Sequence, residues 1–387
     1  MSRRKKRYEN RQKRRQEKRN DFLRGFDRFE NVSSFKALYT AAIDAAKGVT
    51  WKASVQRYLL NVILRTAGAR QDLLEGKDIR KGFICFDINE RGKLRHIRSV
   101  HFSERVVQKS LCQNVLLPIL THNLIYDNGA SQKNKGTLFA INRLVTHLRR
   151  HFRRYGQEGY VLLIDFKSYF DNIDHDVLKG IYRKYIKDAD ILKLTDDFVD
   201  AFGEKGLGLG SETSQIHAIA YPNAIDHFIK DQCGFKAYGR YMDDSYIISH
   251  DKQQLEDVLQ KLTKLYDTHK ITASPKKTRI VDLKHGFCFL KTRFFITKTG
   301  KILKKPCRRS ITVERRKLKK QGKLVETGQM TEKDVLTSFV SWTGSMKRRN
   351  AAKTVYNMTQ LLKRILYHEK QRYTTRALRK APIIVAN

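Results

Sequence analysis

Apolar positions fall in two rhythms along this chain. Leu255, Val258, Leu259, Leu262 and Leu265 recur at helical spacing, as do Phe22, Phe26 and Phe29, and Leu59, Leu60, Ile63 and Leu64. The same spacing returns at Val335, Leu336, Phe339, Val340 and Trp342, then at Leu361, Leu362, Ile365 and Leu366. These stripes predict amphipathic helices that pack a core. Between them the period shortens. Residues 82–100 alternate as two strands, Phe83-Ile84-Cys85-Phe86-Asp87 and Lys93-Leu94-Arg95-His96-Ile97-Arg98, about a turn at Asn89-Glu90-Arg91-Gly92. The run Val161-Leu162-Leu163-Ile164 has the unbroken apolar character of a buried strand and ends on Asp165.

The stretch from Gly239 to Ser249 carries the sharpest chemistry. Aromatic and β-branched residues flank the polar turn Tyr241-Met242-Asp243-Asp244, which predicts a hairpin. Adjacent carboxylates on a tight turn repel, so folding alone does not favour them. A bare Asp-Asp pair is most simply a solvated tip. The pair gains a use if a divalent cation with a preference for hard oxygen ligands sits there. Asp165, closing a buried strand, supplies a further carboxylate. Such an arrangement suits two metal ions about 4 Å apart, which activate an attacking hydroxyl and stabilise an in-line displacement at phosphorus.

Charge changes the picture next. The chain has 387 residues, with 79 Lys and Arg against 39 Asp and Glu, a formal net charge of +40. That excess points to a polyanionic partner held by phosphate contacts. It is spread along the sequence rather than confined to one amphipathic helix, which disfavours a membrane-surface role. Residues 1–19 hold 11 Lys or Arg and almost nothing apolar, so residues 1–20 are expected to be a basic arm, disordered or marginally helical, that grips RNA. Lys93 and Arg95 share one strand face and make a cationic edge suited to phosphates. Trp51 beside Lys52 is expected to pack. The five cysteines, Cys85, Cys112, Cys233, Cys288 and Cys307, include no C-x-x-C pair and are odd in number. That argues against a disulfide framework or a zinc site, and for a reducing compartment. No apolar run approaches the roughly 18 residues of a membrane span, and no secretory signal is expected.

Tyr241-Met242-Asp243-Asp244 on a hairpin, preceded by the block Asp165-Phe166-Lys167-Ser168-Tyr169-Phe170, resembles the palm of reverse transcriptases. Further blocks follow in the family's order. Glu104-Arg105-Val106-Val107-Gln108 resembles its "D-R-V-V-Q" helix. Residues 126–137 resemble a fingers motif in which Gln132 stands for the usual Arg, leaving Lys133 and Lys135 to take part of the triphosphate contact. Leu209-Gly210 through Ser214-Gln215 resembles "Q-G-x-x-x-S-P", with Gln215 replacing Pro. This block would lie along the incoming nucleotide, and its Gly-rich loop before a helix would let backbone approach a ligand. Lys276-Lys277-Thr278 resembles "N-x-x-K-T", which makes Lys277, ahead of Lys276, a general acid for leaving pyrophosphate. Phe289-Leu290-Lys291 resembles the "F-L-G" primer-grip turn, with Lys291 for Gly.

The resemblance implies an α+β right-hand polymerase with fingers, a palm built on an antiparallel sheet, and a helical thumb. The expected segments are the arm at 1–20, N-terminal helices and fingers at 21–155, palm at 156–295, and a basic thumb and tail at 296–387. It implies RNA-directed DNA synthesis, with Asp165, Asp243 and Asp244 holding two Mg²⁺ ions, for which Mn²⁺ can substitute. Phe166, Phe170, Lys93, Arg95, Lys133, Lys135, Gly210 and Gln215 would bind the nucleotide, Phe170 excluding the ribose 2′-hydroxyl. Tyr241, Met242, Leu290, Lys291, Arg308, Arg309, Arg315 and Arg316 would bind nucleic acid. Partners would be a structured non-coding template RNA, nascent DNA, dNTPs, and a small accessory protein or second polymerase subunit. The Gln215 variant resembles enzymes of diversity-generating retroelements and defence-associated bacterial relatives, which implies a cytoplasmic, bacterial or phage-encoded enzyme. Rival readings are a defence polymerase making repetitive, untemplated or protein-primed DNA, an RNA polymerase using rNTPs, and a non-catalytic RNA-binding scaffold.

Overall fold

The computed structural model describes residues 3–90 and 93–380. The chain divides into two compact units, one of Met1–Leu144 with Val161–Ile280, the other of Val145–Tyr160 with Val281–Asn387. The break near residue 280 falls earlier than the expected palm–thumb boundary at 295. Helices and strands are mixed in both units, as expected.

In the first unit, helices Phe35–Ala46, Ala53–Leu60, Val62–Leu74 and Phe102–Leu111 gather around Ala41, Ala42, Tyr58 and Val106. A two-stranded antiparallel hairpin, β1 (Phe83–Glu90) and β2 (Lys93–Val100), pairs Phe83 with Val100 and Glu90 with Lys93. A four-stranded sheet contains β3 (Tyr160–Asp165), β4 (Tyr238–Tyr241), β5 (Asp244–Ser249) and β6 (Arg279–Asp282), in the order β4-β5-β3-β6. Its β6 is where the chain passes into the second unit. The helix Lys252–Thr268 buries Leu255, Val258, Leu262 and Tyr266, the face that the apolar stripe marked. The second unit holds a three-stranded sheet, β7 (Phe287–Phe289), β8 (Thr292–Ile296) and β9 (Ile302–Pro306). Helices Arg308–Glu326, Glu332–Met346 and Ala352–Lys380 enclose a separate core of Leu318, Val335, Phe339, Trp342, Met346, Met358 and Leu362. Among the described residues no helix is long and apolar enough to cross a membrane.

Three local expectations are corrected. Residues Arg3–Arg24 form a helix rather than a disordered arm; residues 1 and 2 lie outside the described residues. Lys, Arg, Gln and Glu are strong helix formers, and the last turn is anchored by buried Leu23 and by Phe22 stacked on His122 at 4.9 Å. The stripe Leu59, Leu60, Ile63 and Leu64 does not pack a core: Leu60 is 82% exposed and Leu64 73%. Its helix breaks at Asn61 (φ −120°, ψ 33°), and on either side Val55, Tyr58, Thr66 and Leu73 turn inward instead. Trp51 is 74% exposed, its ring 5.4 Å from the Lys52 ammonium.

Candidate active site

The sheet order places β5 beside β3, so Asp244 at the start of β5 meets Asp165 at the end of β3. Tyr241 pairs with Asp244 across the hairpin, which leaves Met242 and Asp243 as a two-residue tip. Such tips require a positive φ, and Met242 takes it at +55°. The Asp244 carboxyl is pushed up to about 7 by burial, by the charges of Asp243 and Asp165, and by a hydrogen bond shared with Asp165. It therefore holds a proton near neutrality. Lys277 Nζ lies 2.7 and 2.8 Å from the two Asp165 oxygens. Burial pulls the Lys277 ammonium down, but the hydrogen bond to Asp165 and the charges of Asp165, Asp244 and Asp243 outweigh it and raise it above the ordinary lysine value.

The strand end is clamped from the other side by residues 272–274. Lys167 N donates to Thr272 O at 2.8 Å, Ser274 N donates to Asp165 O at 2.7 Å, and Thr278 N closes the following turn onto Ser274 O. That turn delivers Lys277 to Asp165.

What aims the hairpin is a residue that sequence reasoning passed over. Arg240 is 1% exposed. Its guanidinium makes bonds of 2.6 to 3.0 Å to both carboxylate oxygens of buried Asp226, and donates to Ile219 O at 2.8 Å and Met242 O at 3.0 Å. Tyr238 Oη donates to the same Asp226 at 2.5 Å. The Arg240 backbone is held as well: its N–H donates to Asp127 O at 3.1 Å, and its carbonyl accepts from Gly129 N at 2.9 Å. The available signal was a lone Arg inside the otherwise uncharged strand Tyr238-Gly239-Arg240-Tyr241, which has to be paired to be buried there.

On the expected nucleotide side, Phe170 is half-buried, edge-on to Tyr169 at 5.8 Å. The Gly-rich loop backs it. Leu207 N donates to Phe170 O at 2.7 Å and Gly206 N to Ile173 O at 2.8 Å. Gly206 sits at φ +83°, where a Cβ would come within 2.8 Å of the Asp171 carbonyl oxygen. Leu209 bridges to Ile97 on β2. Gly210 and Gln215 are exposed and line a cavity of about 320 Å³ with Arg105, Lys109, Ser211 and Glu212. Gln215 Oε1 accepts from Ser131 Oγ at 3.2 Å.

Arg95 is half-buried on β2, opposite Ile88, and Lys133 is exposed. The side chain of Lys93 lies outside the described residues. Two expected contacts turn away from any ligand. The Phe166 ring is buried against Tyr169 and Tyr266 at 5.4 and 5.5 Å, just past β3, where Phe166 bridges to Ala273. Lys135 donates to Tyr126 O and Asn128 O, both at 3.0 Å, and lies over the Tyr126 and Phe139 rings. Its loop has carbonyls to satisfy, and burial pushes its ammonium below the usual lysine value.

Of the expected nucleic-acid contacts, Tyr241 and Met242 are half-buried at the hairpin, with Thr137 Oγ1 donating to Tyr241 Oη at 3.3 Å. In the second unit, Phe289 pairs with Thr292, so Leu290 and Lys291 form a two-residue turn with both φ positive, at +47° and +58°. Lys291 is exposed at a position that favours Gly or Asn. Arg308, Arg309, Arg315 and Arg316 are all exposed on the helix Arg308–Glu326, whose other side buries Leu318 and Gln321.

The reverse transcriptase (RNA-dependent DNA polymerase) family profile matches residues 80–305. That span contains the carboxylates, Lys277 and the hairpin, and it carries the right-hand polymerase fold with it. Among solved structures, the chain is similar to telomerase from Candida albicans in complex with a fragment of telomeric RNA, with 14% identity, 76% of this chain and 55% of that chain covered, and a TM-score of 0.48. It is also similar to apo telomerase from Candida tropicalis, with 15% identity, 57% and 54% covered, and a TM-score of 0.44. The chain thus spans about half the length of each. No curated protein matches it.

Two outcomes follow from this geometry. Arg240→Met strands Asp226 as a buried charge and should cost about 3–5 kcal/mol in urea unfolding. Adding Asp226→Leu should recover much of that stability, yet primer extension should stay down by about 10²-fold because the Met242 carbonyl has lost its donor. In metal-free protein, Asp244 ionises near 7 when folded against 3.8 ordinarily. The folded state then binds more protons between those values, so stability should fall as pH rises, by a few kcal/mol at about 1.4 kcal/mol per unit. Asp244→Asn should flatten that slope in unfolding curves measured with a chelator present.

Proposed function

The chain belongs to the reverse transcriptase (RNA-dependent DNA polymerase) family, and on that premise we propose that it copies a dedicated, structured RNA into DNA at Asp165, Asp243 and Asp244, in a bacterial retroelement or antiphage defence system. One observation carries the catalytic part: Asp165, bonded by Lys277 through both oxygens, meets Asp244 beside the hairpin tip that bears Asp243, where burial and then the neighbouring charges raise the Asp244 carboxyl. Among the described residues, no three His, Cys, Asp or Glu groups are gathered as a ready metal cage. Lys277 and the Asp244 proton compensate the carboxylates instead. Their donor set still fits Mg²⁺, or Mn²⁺ in its place: hard carboxylate oxygens whose mutual repulsion a dication relieves. When bound, two such ions supply the positive charge that favours attack of a primer hydroxyl on the α-phosphate and departure of pyrophosphate.

The chain's own residues do the rest. Asp165, Asp243 and Asp244 would hold the cations. Lys277, bonded to Asp165, carries an ammonium proton that it would give the leaving pyrophosphate. Phe170, half-exposed and backed by the Gly206–Leu207 backbone, places a rigid ring beside the site and favours dNTPs over rNTPs. Arg308, Arg309, Arg315 and Arg316 offer a phosphate-binding helix face. Gln215, exposed and bonded to Ser131 in place of a proline, supports a retroelement-type enzyme with loosened base selection.

The test is to purify wild type and Asp243→Asn from cells and sequence the bound RNA and DNA separately. The expected result is DNA in the wild type alone, complementary to a co-purified RNA and altered at template adenines. Faithful, repetitive or untemplated DNA would move the chain to defence. Equal DNA in both preparations would overturn the catalytic assignment.

A further inference from the structure

Sequence spacing pairs none of the five cysteines, yet the second unit brings two together. Cys288, in β7, and Cys307, which caps the helix Arg308–Glu326, have sulfurs 2.8 Å apart, with Cys307 donating its S–H. The topology explains the meeting. Phe289 pairs with Thr292 and Thr292 with Pro306, so the chain leaving β9 turns across the end of the sheet that bears the Leu290–Lys291 turn. The other three cysteines belong to the first unit: Cys112 is buried, Cys85 exposed and Cys233 half-buried.

We propose that Cys288 and Cys307 are an oxidisable dithiol, which a peroxide converts to an intrachain disulfide that ties the Leu290–Lys291 turn to the first turn of the basic helix. Three observations support it. The sulfurs need only a small approach to reach the bonded distance of about 2.05 Å. Cys288 is exposed, so a small oxidant reaches it. The surroundings are electropositive: Cys307 stands at the N-terminus of a 19-residue helix, with the Arg349 and Arg293 guanidinium groups nearby. The nearby guanidinium groups of Arg349 and Arg293 pull the Cys307 thiol down, against the larger upward effects of its hydrogen bond to Cys288, burial and the Cys288 charge. The shared proton thus stays on Cys307, and the exposed Cys288 is the sulfur presented to the oxidant. A bound soft metal is the other use of a cysteine pair. Among the described residues, however, no third His, Cys, Asp or Glu joins these two as a ligand.

The chemistry balances with hydrogen peroxide as oxidant. Cys288 thiolate attacks one peroxide oxygen, the O–O bond breaks, and hydroxide leaves and becomes water with the proton from Cys288. Cys307 sulfur then attacks the Cys288 sulfenic sulfur. The S–O bond breaks, and the second water leaves with the Cys307 proton. Two thiols and one peroxide yield one disulfide and two waters, the sulfurs losing two electrons and the peroxide gaining them. A dithiol reductant reverses the product by exchange.

The experiment is stepped oxidation of the full chain with hydrogen peroxide, quenched with N-ethylmaleimide and digested without reductant for mass spectrometry. The Cys288 and Cys307 peptides should appear joined, two hydrogens short, at a lower peroxide dose than oxidation of Cys85, and separate again with dithiothreitol. Cys307→Ser should leave a Cys288 sulfenic acid that dimedone captures. If both cysteines stay alkylatable when Cys85 is already oxidised, or if Cys288 is found joined to another chain, the proposal fails. The wild-type arm decides this without depending on how any variant folds.

Discussion

The meeting of Asp165 and Asp244, with Asp243 on the same hairpin tip, is the constraint around which the site in the first unit is arranged. Asp165 ends a buried strand and Asp243 and Asp244 sit at a hairpin tip beside it, so each ionisation makes the next harder. In the protein alone, the strain is met by a proton retained on Asp244 and by the Lys277 ammonium spread over both oxygens of Asp165. Both are replaceable. A proton and a lysine are partners that a divalent cation, on the proposed reading, would displace, as an apolar or permanently bonded partner could not be.

Holding such a cluster in place needs a support more rigid than the repulsion it resists. The Arg240–Asp226 pair is that support. Burying it is no gain in itself, because desolvation offsets the attraction. Its value lies in geometry: one planar guanidinium meets Asp226, the Ile219 carbonyl and the Met242 carbonyl at the tip. Loop residues 127–129 cover the outer edge of the same strand. Met242 can then sit at positive φ, a conformation that is unfavourable for its side chain in isolation. The second unit repeats the theme at Leu290 and Lys291, where two non-glycine residues take positive φ in a turn between β7 and β8.

Much of this was legible. The apolar run before Asp165 and the aromatic and β-branched flanks of Asp243 and Asp244 are strong local patterns, and local patterns survive tertiary context. The stripe from Leu255 to Leu265 was readable for the same reason. What failed depended on backbone conformation and on partners that residue type alone does not reveal. The Leu59 to Leu64 stripe assumed one continuous helix, and the backbone change at Asn61 rotates it out to solvent. Lys135 looked like a ligand contact because its loop carbonyls, which claim it, are invisible to composition. Phe166 shares a motif with Phe170, but Phe166, just past β3, turns its ring into the core, while Phe170 opens a helical turn and stays half-buried. Arg240 reads as one more cation among 79 Lys and Arg, and only its burial sets it apart. The meeting of Cys288 and Cys307 arises from strand register, which no cysteine count contains.

The most direct measurement is calorimetric titration of Mg²⁺ into metal-free protein at about pH 6.5, in two buffers of different ionisation enthalpy. If the carboxylate cluster is a cation site balanced by a proton, binding should release on the order of one proton, and Asp244→Asn should abolish that release. Mg²⁺ binding with no proton released, or with the same release from Asp244→Asn, would contradict it.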